Sequence, residues 1–191
     1  MDKLDYSYRN DGIIVVSIDN NCWNKFYEQK VDLKKEFPKD KFILSLVRGV
    51  KLEVDPIEDE DLKKYIDNQI ESYGITITST LGFNDGRDLQ TTDTFGFGTF
   101  SSNSENEFIR IFNEQKSERD LIILKNGLYK HEVDMDVALS SFHSVVITSD
   151  KKSSEMKLAQ KYGGKVLFIN DYPKNGKKIS EMVVDYFNST S

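Results

Sequence analysis

Residues Ile13 to Asn21 read IIVVSIDNN, and the fold turns on this run of β-branched apolar residues that stops at a carboxylate and two carboxamides. Ile13, Ile14, Val15, Val16 and Ile18 leave no polar face, the pattern of a central parallel strand covered on both sides. Ligands of open α/β sheets gather at the carboxyl ends of strands, so Asp19 at this tip is placed for chemistry. The competing reading is that Asp19 or Asn20 caps the next helix. A second stretch repeats the design, because Val145 to Thr148, VVIT, runs straight into Ser149-Asp150. Ser153 to Tyr162 then reads as a helix, with Ser153 or Ser154 as its cap and Gly163-Gly164 as its stop, followed by a strand from Val166 to Ile169. A strand, helix, strand order of this kind makes the two strands parallel through a right-handed crossover.

The 191 residues have room for one domain with a full core and one sizeable insertion. Hydrophobic residues at 38% and charged residues at 30%, with 12 Phe and 9 Tyr to fill a core, exclude a disordered composition. The formal net charge of -6 argues against a uniformly basic nucleic-acid surface, leaving a local basic rim or binding through metal ions. Cys22 is the only cysteine, so neither an intramolecular disulfide nor a Cys-based zinc site can form, which points to a reducing compartment. His131 and His143 are too few for a histidine-rich metal site, so a metal here would take oxygen ligands. The opening MDKLDYSYRNDG lacks the apolar core of a signal peptide. No apolar run approaches the roughly 18 residues of a membrane span. The expectation is a cytoplasmic chain without membrane association.

Between the two acid-tipped strands, Asn20 to Phe37 reads as one helix closed by Pro38, and Phe42 to Ser45 as the second strand. Leu46 to Val54, LVRGVKLEV, fits a helix or a strand equally well. Asp55-Pro56 has the form of a helix start, with Asp55 as cap, Pro56 at the first position and Glu58, Asp59, Glu60 and Asp61 in the first turns. Leu62, Tyr65, Ile66, Ile70 and Tyr73 give that helix its apolar stripe, Gly74 ends it, and Ile75 to Thr80 alternates as a strand. Residues 82–106 read as a long insertion or loop carrying Arg87, Phe95-Gly96-Phe97 and Phe100, aromatics that could clamp a nucleic-acid strand or pin the loop to its own domain. Helices are expected at Glu107 to Lys116, from Glu132 through Leu139, and at Ile179 to Phe187, with Leu121 to Leu124 either a strand or a short helix. The expected fold is α/β, a Rossmann-like three-layer sandwich with a central, mainly parallel sheet.

Such a sheet would bring together Asp19 after the first strand, Glu53 after the second, Asp136 in the late helix and Asp150 after VVIT. Four carboxylates repel at neutral pH unless a cation neutralises them, and Mg²⁺ or Mn²⁺ prefers hard oxygen ligands of this type. Ions so held activate water and stabilise charge on a phosphate during in-line displacement, which points to phosphodiester hydrolysis.

The chain resembles the PIN domains, small α/β ribonucleases of the wider group that includes the flap endonucleases. Asp19-Asn20-Asn21 resembles the family's strand-terminal Asp-x-Asn, with Asp19 the first metal-binding acid and Asn21 its supporting group. Glu53 falls where the family places a Glu on the helix after its second strand. Asp136-Val137-Ala138-Leu139 is similar to the acid-led segment before the family's fourth strand, with Asp134 left open as the alternative third acid. Thr148-Ser149-Asp150 resembles the Thr-x-Asp that ends that strand. The resemblance covers roughly the first and last thirds of the chain, and residues 82–106 have no counterpart in it.

The resemblance implies a nuclease dependent on Mg²⁺ or Mn²⁺, acting on RNA rather than DNA, in which Asp19, Asp136 and Asp150 hold metal and Glu53 holds metal or orients water. It also leaves room for a homodimer or an inhibitory protein partner such as an antitoxin. Lys151, Lys152 and Arg87 are candidate phosphate contacts. The alternatives are a binding or scaffold module on the same fold without catalysis and, last, a phosphatase or receiver-type phosphoacceptor. Against the last stand the missing Asp-x-Asp at the first strand and the missing Gly-rich phosphate loop.

Overall fold

The computed structural model describes residues 3–7, 9, 11–81, 98–100, 102–115, 132–174 and 176–190. The elements run β1 Ile14–Ile18, α1 Cys22–Glu28, α2 Leu33–Glu36, β2 Phe42–Val47, α3 Arg48–Val54, α4 Glu60–Tyr73, β3 Thr76–Leu81, β4 Gly98–Phe100, α5 Asn103–Gln115, α6 Glu132–Ser140, β5 Val145–Thr148, α7 Ser154–Lys161, β6 Val166–Phe168 and α8 Ile179–Ser189. Among the described residues the six strands form one sheet in the order β4-β3-β2-β1-β5-β6, every neighbouring pair parallel. β1 therefore sits in the middle, with Val16 and Ile18 fully buried, as its largely apolar run requires. Helices α1, α2 and α4 pack together, as do α6 and α7, giving the three-layer α/β sandwich.

The strand order places the site. From β1 the chain works outward through β2 and β3 to β4, then returns to the other side of β1 for β5 and β6. The reversal falls between β1 and β5, and ligands of open α/β sheets bind at the carboxyl ends of the strands flanking such a switch point. The register pairs Ser17 with Ser45 on β2 and with Val146 on β5, so the tips of β1 and β5 finish level with each other. Ser17, the one polar residue inside β1, is fully accommodated. Its hydroxyl lies 2.8 Å from those of Ser45 and Ser144, and Ser144 Oγ donates to the Ser140 carbonyl at 2.7 Å. With that last proton committed, a single direction satisfies the chain: Ser45 donates to Ser17, and Ser17 to Ser144.

Several local expectations are corrected. The helix expected over Asn20 to Phe37 is two, because the chain turns at Gln29 to Asp32 with Lys30 at φ 51° and Asp32 accepts the Lys34 amide at 3.1 Å to start α2. Asp55 does not open α4. It follows α3 and pairs with Lys51 at 2.7 Å, while Asp59 is the cap, accepting the Leu62 amide at 3.0 Å. Gly74 ends α4 as expected, in the left-handed conformation at φ 76° that glycine adopts without strain. Within the stretch read as a loop over residues 82–106, Gly98–Phe100 is an edge strand and α5 begins at Asn103, where Ser102 and Glu105 bond each other's backbone amides in a capping box. Arg87, Phe95-Gly96-Phe97, Leu121 to Leu124 and His131 lie outside the described residues. Among those described, no helix is long and apolar enough to cross a membrane.

Candidate functional site

Asp19 stands at the tip of β1, 4% exposed. Its Oδ2 accepts the Thr148 hydroxyl at 2.6 Å and the Asn21 carboxamide at 2.5 Å. Burial pushes the Asp19 carboxyl above its ordinary range; bonds from Thr148, Asn21 and the Asn20 backbone pull the other way, and the charge of Asp150 adds to the rise. Asp150, whose effect on Asp19 is the smallest of these, lies two residues beyond β5, the strand whose tip finishes level with that of β1. Asp150 itself accepts the Lys152 amide at 2.7 Å, and its own amide donates to Thr148 Oγ1 at 3.1 Å, so Thr148 does more than occupy a strand position.

Asn21 occupies the cap position of α1, yet its side chain makes no capping bond. It spans the tips of β1 and β5 instead, accepting the Ser149 amide at 2.7 Å through Oδ1 while Nδ2 serves Asp19. The Ser149 hydroxyl donates to the Asn21 carbonyl at 2.7 Å, closing a second bridge. The helix-cap reading of this segment is therefore replaced by a clamp between strand tips.

Glu53 lies on α3, which settles the helix-or-strand alternative: Leu46 and Val47 finish β2 and the helix begins at Arg48. Its carboxyl is pushed up to about 7, first by burial, then by the charges of Asp134 and Asp19, with the Asn20 side chain donating a hydrogen bond in opposition. Asn20, read from sequence only as a cap, ties Glu53 to the tip of β1. The approach of α3 to α6 depends on Gly49, where a Cβ would sit 3.0 Å and 3.2 Å from the Val133 methyl groups. Glu53 is one helical turn beyond Gly49 and Asp134 is next to Val133, so this contact brings the two carboxyls into mutual range.

Asp134 and Asp136 stand two residues apart on α6, about 200° around the helix, and cannot both face Glu53. The neighbour that raises Glu53 is Asp134. Asp136, half-buried, lies on the other side of α6 and has interactions of its own. Asp19 and Asp150 thus end adjacent strands, and Glu53 feels the charges of Asp134 and Asp19, with Asn20, Asn21 and Thr148 bonded to Asp19 or Glu53. Among the described residues, no three His, Cys, Asp or Glu side chains converge into a ready-made metal-chelating group.

Sequence reasoning missed three contributors besides Asn20. Ser149 is half of the inter-strand clamp. Asn170, after β6, donates to the Ser149 carbonyl at 2.7 Å. Lys25, on α1, donates to the carbonyls of Ile169 and Asn170, both at 3.1 Å. The sequence signal for Asn20 was its place directly after the strand-terminal acid; for Lys25 and Asn170 no local pattern exists, since their partners are 144, 145 and 21 residues away. Cys22 and Trp23 pack in the core as expected, and the Cys22 thiol donates to the Ile147 carbonyl at 3.3 Å. His143 meets the buried Glu105 at 3.3 Å, away from the acids.

Comparisons of the chain with protein-family models, with curated proteins and with solved structures found no match.

Proposed function

We propose that this chain is a PIN-like nuclease dependent on Mg²⁺ or Mn²⁺ that hydrolyses phosphodiester bonds in RNA. What supports the reading is the placement of Asp19 and Asp150 after the adjacent parallel strands β1 and β5 at the topological switch point, with Glu53 on α3 and Asp134 and Asp136 on α6. Burial, with neighbouring carboxylates adding to it, raises Asp19 and Glu53, a cost that a cation would offset, and oxygen donors of this kind suit a hard divalent ion. Asp19 and Asp150 would hold it, with Glu53 and either Asp136 or Asp134 as further acids. Bound there, such an ion supplies activation of water and stabilisation of charge on the phosphate. The chain's own residues orient the carboxylates: Thr148 and Asn21 fix Asp19, Asn20 restrains Glu53, and the Asn21–Ser149 clamp sets the tip of β5 against that of β1.

The test is cleavage of single-stranded and structured RNAs by the full chain with Mn²⁺, with and without EDTA. EDTA-sensitive cleavage by wild type, lost in Asp19→Asn and Asp150→Asn, is the expected outcome; unchanged cleavage in both variants overturns the reading. A second reading, a binding or scaffold module on the same fold, draws on the internal hydrogen bonds that satisfy Asp19 and Asp150 without a cation. Absence of both Mn²⁺ binding and cleavage of any nucleic acid in the panel favours it.

A further inference from the structure

The chain carries a formal net charge of -6, yet the two loops that leave β5 and β6 are basic. Residues 149–152 and 170–178 hold Lys151, Lys152, Lys174, Lys177 and Lys178 against Asp150 and Asp171. Lys177 is taken up by Asp185 at 2.8 Å, whereas Lys151, Lys152, Lys174 and Lys178 are exposed and form no ion pair among the described residues. The loops lie side by side, because β5 and β6 are paired and the Asn170 side chain donates to the Ser149 carbonyl at 2.7 Å. The four ammonium groups thus belong to one edge of the carboxyl end of the sheet, starting at the residue after Asp150. Like charges in neighbouring loops repel, a cost to the fold that a bound polyanion removes.

An aromatic strip adjoins them. Tyr172 is half-buried in the loop after β6, its amide donating to the Ile169 carbonyl at 3.1 Å. Burial raises the Tyr65 phenol, and the neighbouring Tyr172 adds to the rise. Tyr65 meets Tyr27 with ring centres 5.5 Å apart and planes tilted at 58°, and its hydroxyl is fixed on the Val31 carbonyl at 2.6 Å. Tyr27 is 37% exposed, one of the two exposed large hydrophobic side chains among the described residues. Lys25, two residues earlier on α1, donates to the carbonyls of Ile169 and Asn170 and so holds that helix against the loop after β6. The carboxylates whose charge reaches Tyr65 and Tyr172 are engaged, Asp32 by Lys35 at 3.2 Å and Glu36 by the Ser180 amide at 3.0 Å.

We propose that the loops after β5 and β6 and the tyrosine strip dock single-stranded RNA, with Lys151, Lys152, Lys174 and Lys178 taking backbone phosphates and Tyr172 and Tyr27 stacking unpaired bases. The inference rests on the reading of RNA as the substrate and adds the course of the strand, along the β5–β6 edge and over α1. Cationic groups that follow the backbone and aromatic faces that accept any base are the two parts of a sequence-tolerant single-strand site. A duplex offers the phosphates but keeps its base faces stacked, so the strip favours single strands.

The experiment is fluorescence anisotropy of a labelled single-stranded RNA with the full chain in EDTA over a salt series, so that binding is read without metal-dependent cleavage. Replacing Lys151, Lys152, Lys174 and Lys178 together by Gln is expected to remove about 3 from the slope of log affinity against log salt, roughly 0.7 for each phosphate contact. Tyr27→Ala and Tyr172→Ala are expected to bind at least about fivefold more weakly with the slope of wild type, and to leave the binding of a duplex RNA of equal length unchanged. Lys39→Gln combined with Lys41→Gln, just before β2 at the opposite end of the sheet, is expected to bind as wild type does. A wild-type slope in the four-lysine variant, an equal fall in the Lys39 and Lys41 control, or wild-type affinity in a folded tyrosine variant overturns this inference alone, and so does a wild-type chain that binds no single-stranded RNA. Binding that depends on these lysines and tyrosines in a chain that shows no Mn²⁺-dependent cleavage upholds this inference and overturns the nuclease reading.

Discussion

The two halves of the acidic site are built on opposite principles. At the strand tips, Asp19 and Asp150 are set by the sheet register and by side-chain hydrogen bonds among Thr148, Asn21 and Ser149. On the helices, Glu53 and Asp134 are set by packing, through the contact of Gly49 with Val133. Hydrogen bonds define distances tightly and oppose the cost of burying Asp19, whereas the helix pair leaves Glu53 with a carboxyl pushed up to about 7 and only Asn20 opposing the rise. The first half resembles a fixed site; the second responds to pH and to small movements of α3.

The largest effect is expected at the strand tips. Asp19→Asn should lower Mn²⁺-dependent cleavage by about a hundredfold or more, comparable to losing a principal electrostatic group of an active site. Its thermal midpoint without metal should stay at or above that of wild type, because a buried charge is removed while the shape is kept. A fall in midpoint matching the fall in activity would assign Asp19 to the fold alone.

Next comes the helix contact. Gly49→Val should destabilise the chain by about 1–3 kcal/mol, the usual cost of forcing extra methyl groups into a packed contact. It should also separate α3 from α6 and bring the Glu53 carboxyl back toward its ordinary value, as followed by NMR titration. A stable Gly49→Val with Glu53 unchanged would mean that packing does not set this half.

The pH response follows from the same contrast. Glu53 titrates at about 7 when folded and near 4.5 otherwise, so between those values the folded chain retains a proton that the unfolded chain has released. Stability therefore falls as pH rises through that window and levels off above it; Asp19, also raised, acts in the same direction. The thermal midpoint of metal-free protein should decline from about pH 5 to about pH 7. Glu53→Gln should flatten the slope, and a slope untouched by that substitution would break the assignment. The smallest effect separates the two candidate third acids: Asp134→Asn should lower the Glu53 titration point, and Asp136→Asn should leave it in place.

The same division explains what could be read from the chain. IIVVSID and VVITSD specify their strands almost alone, since an all-apolar β-branched run has one comfortable environment, and the acid that ends each run is delivered by the strand itself. The three-layer parallel architecture and the placement of Asp19 and Asp150 at its switch point followed from those two segments. Glu53 and the third acid were not decidable, because LVRGVKLEV satisfies both periodicities and because Asp134 and Asp136 differ only in which face of α6 they occupy. That face is chosen by Gly49 meeting Val133, a contact spanning 84 positions with no local trace. The cap was misread because Asp55-Pro56 has the chemistry of a helix start and Asp59 has it too; Asp55 instead pairs with Lys51 one turn back at the end of α3 and with Lys63 on α4. Asn21 takes the cap position of α1, but its side chain bonds Ser149, 128 residues away.

The most direct test of the central claim is the heat of Mn²⁺ binding to wild type, Asp19→Asn and Asp150→Asn at neutral pH. The strand-tip account predicts saturable binding in wild type that is lost in both variants while each remains folded. Equal binding in all three, or none in wild type, would contradict it.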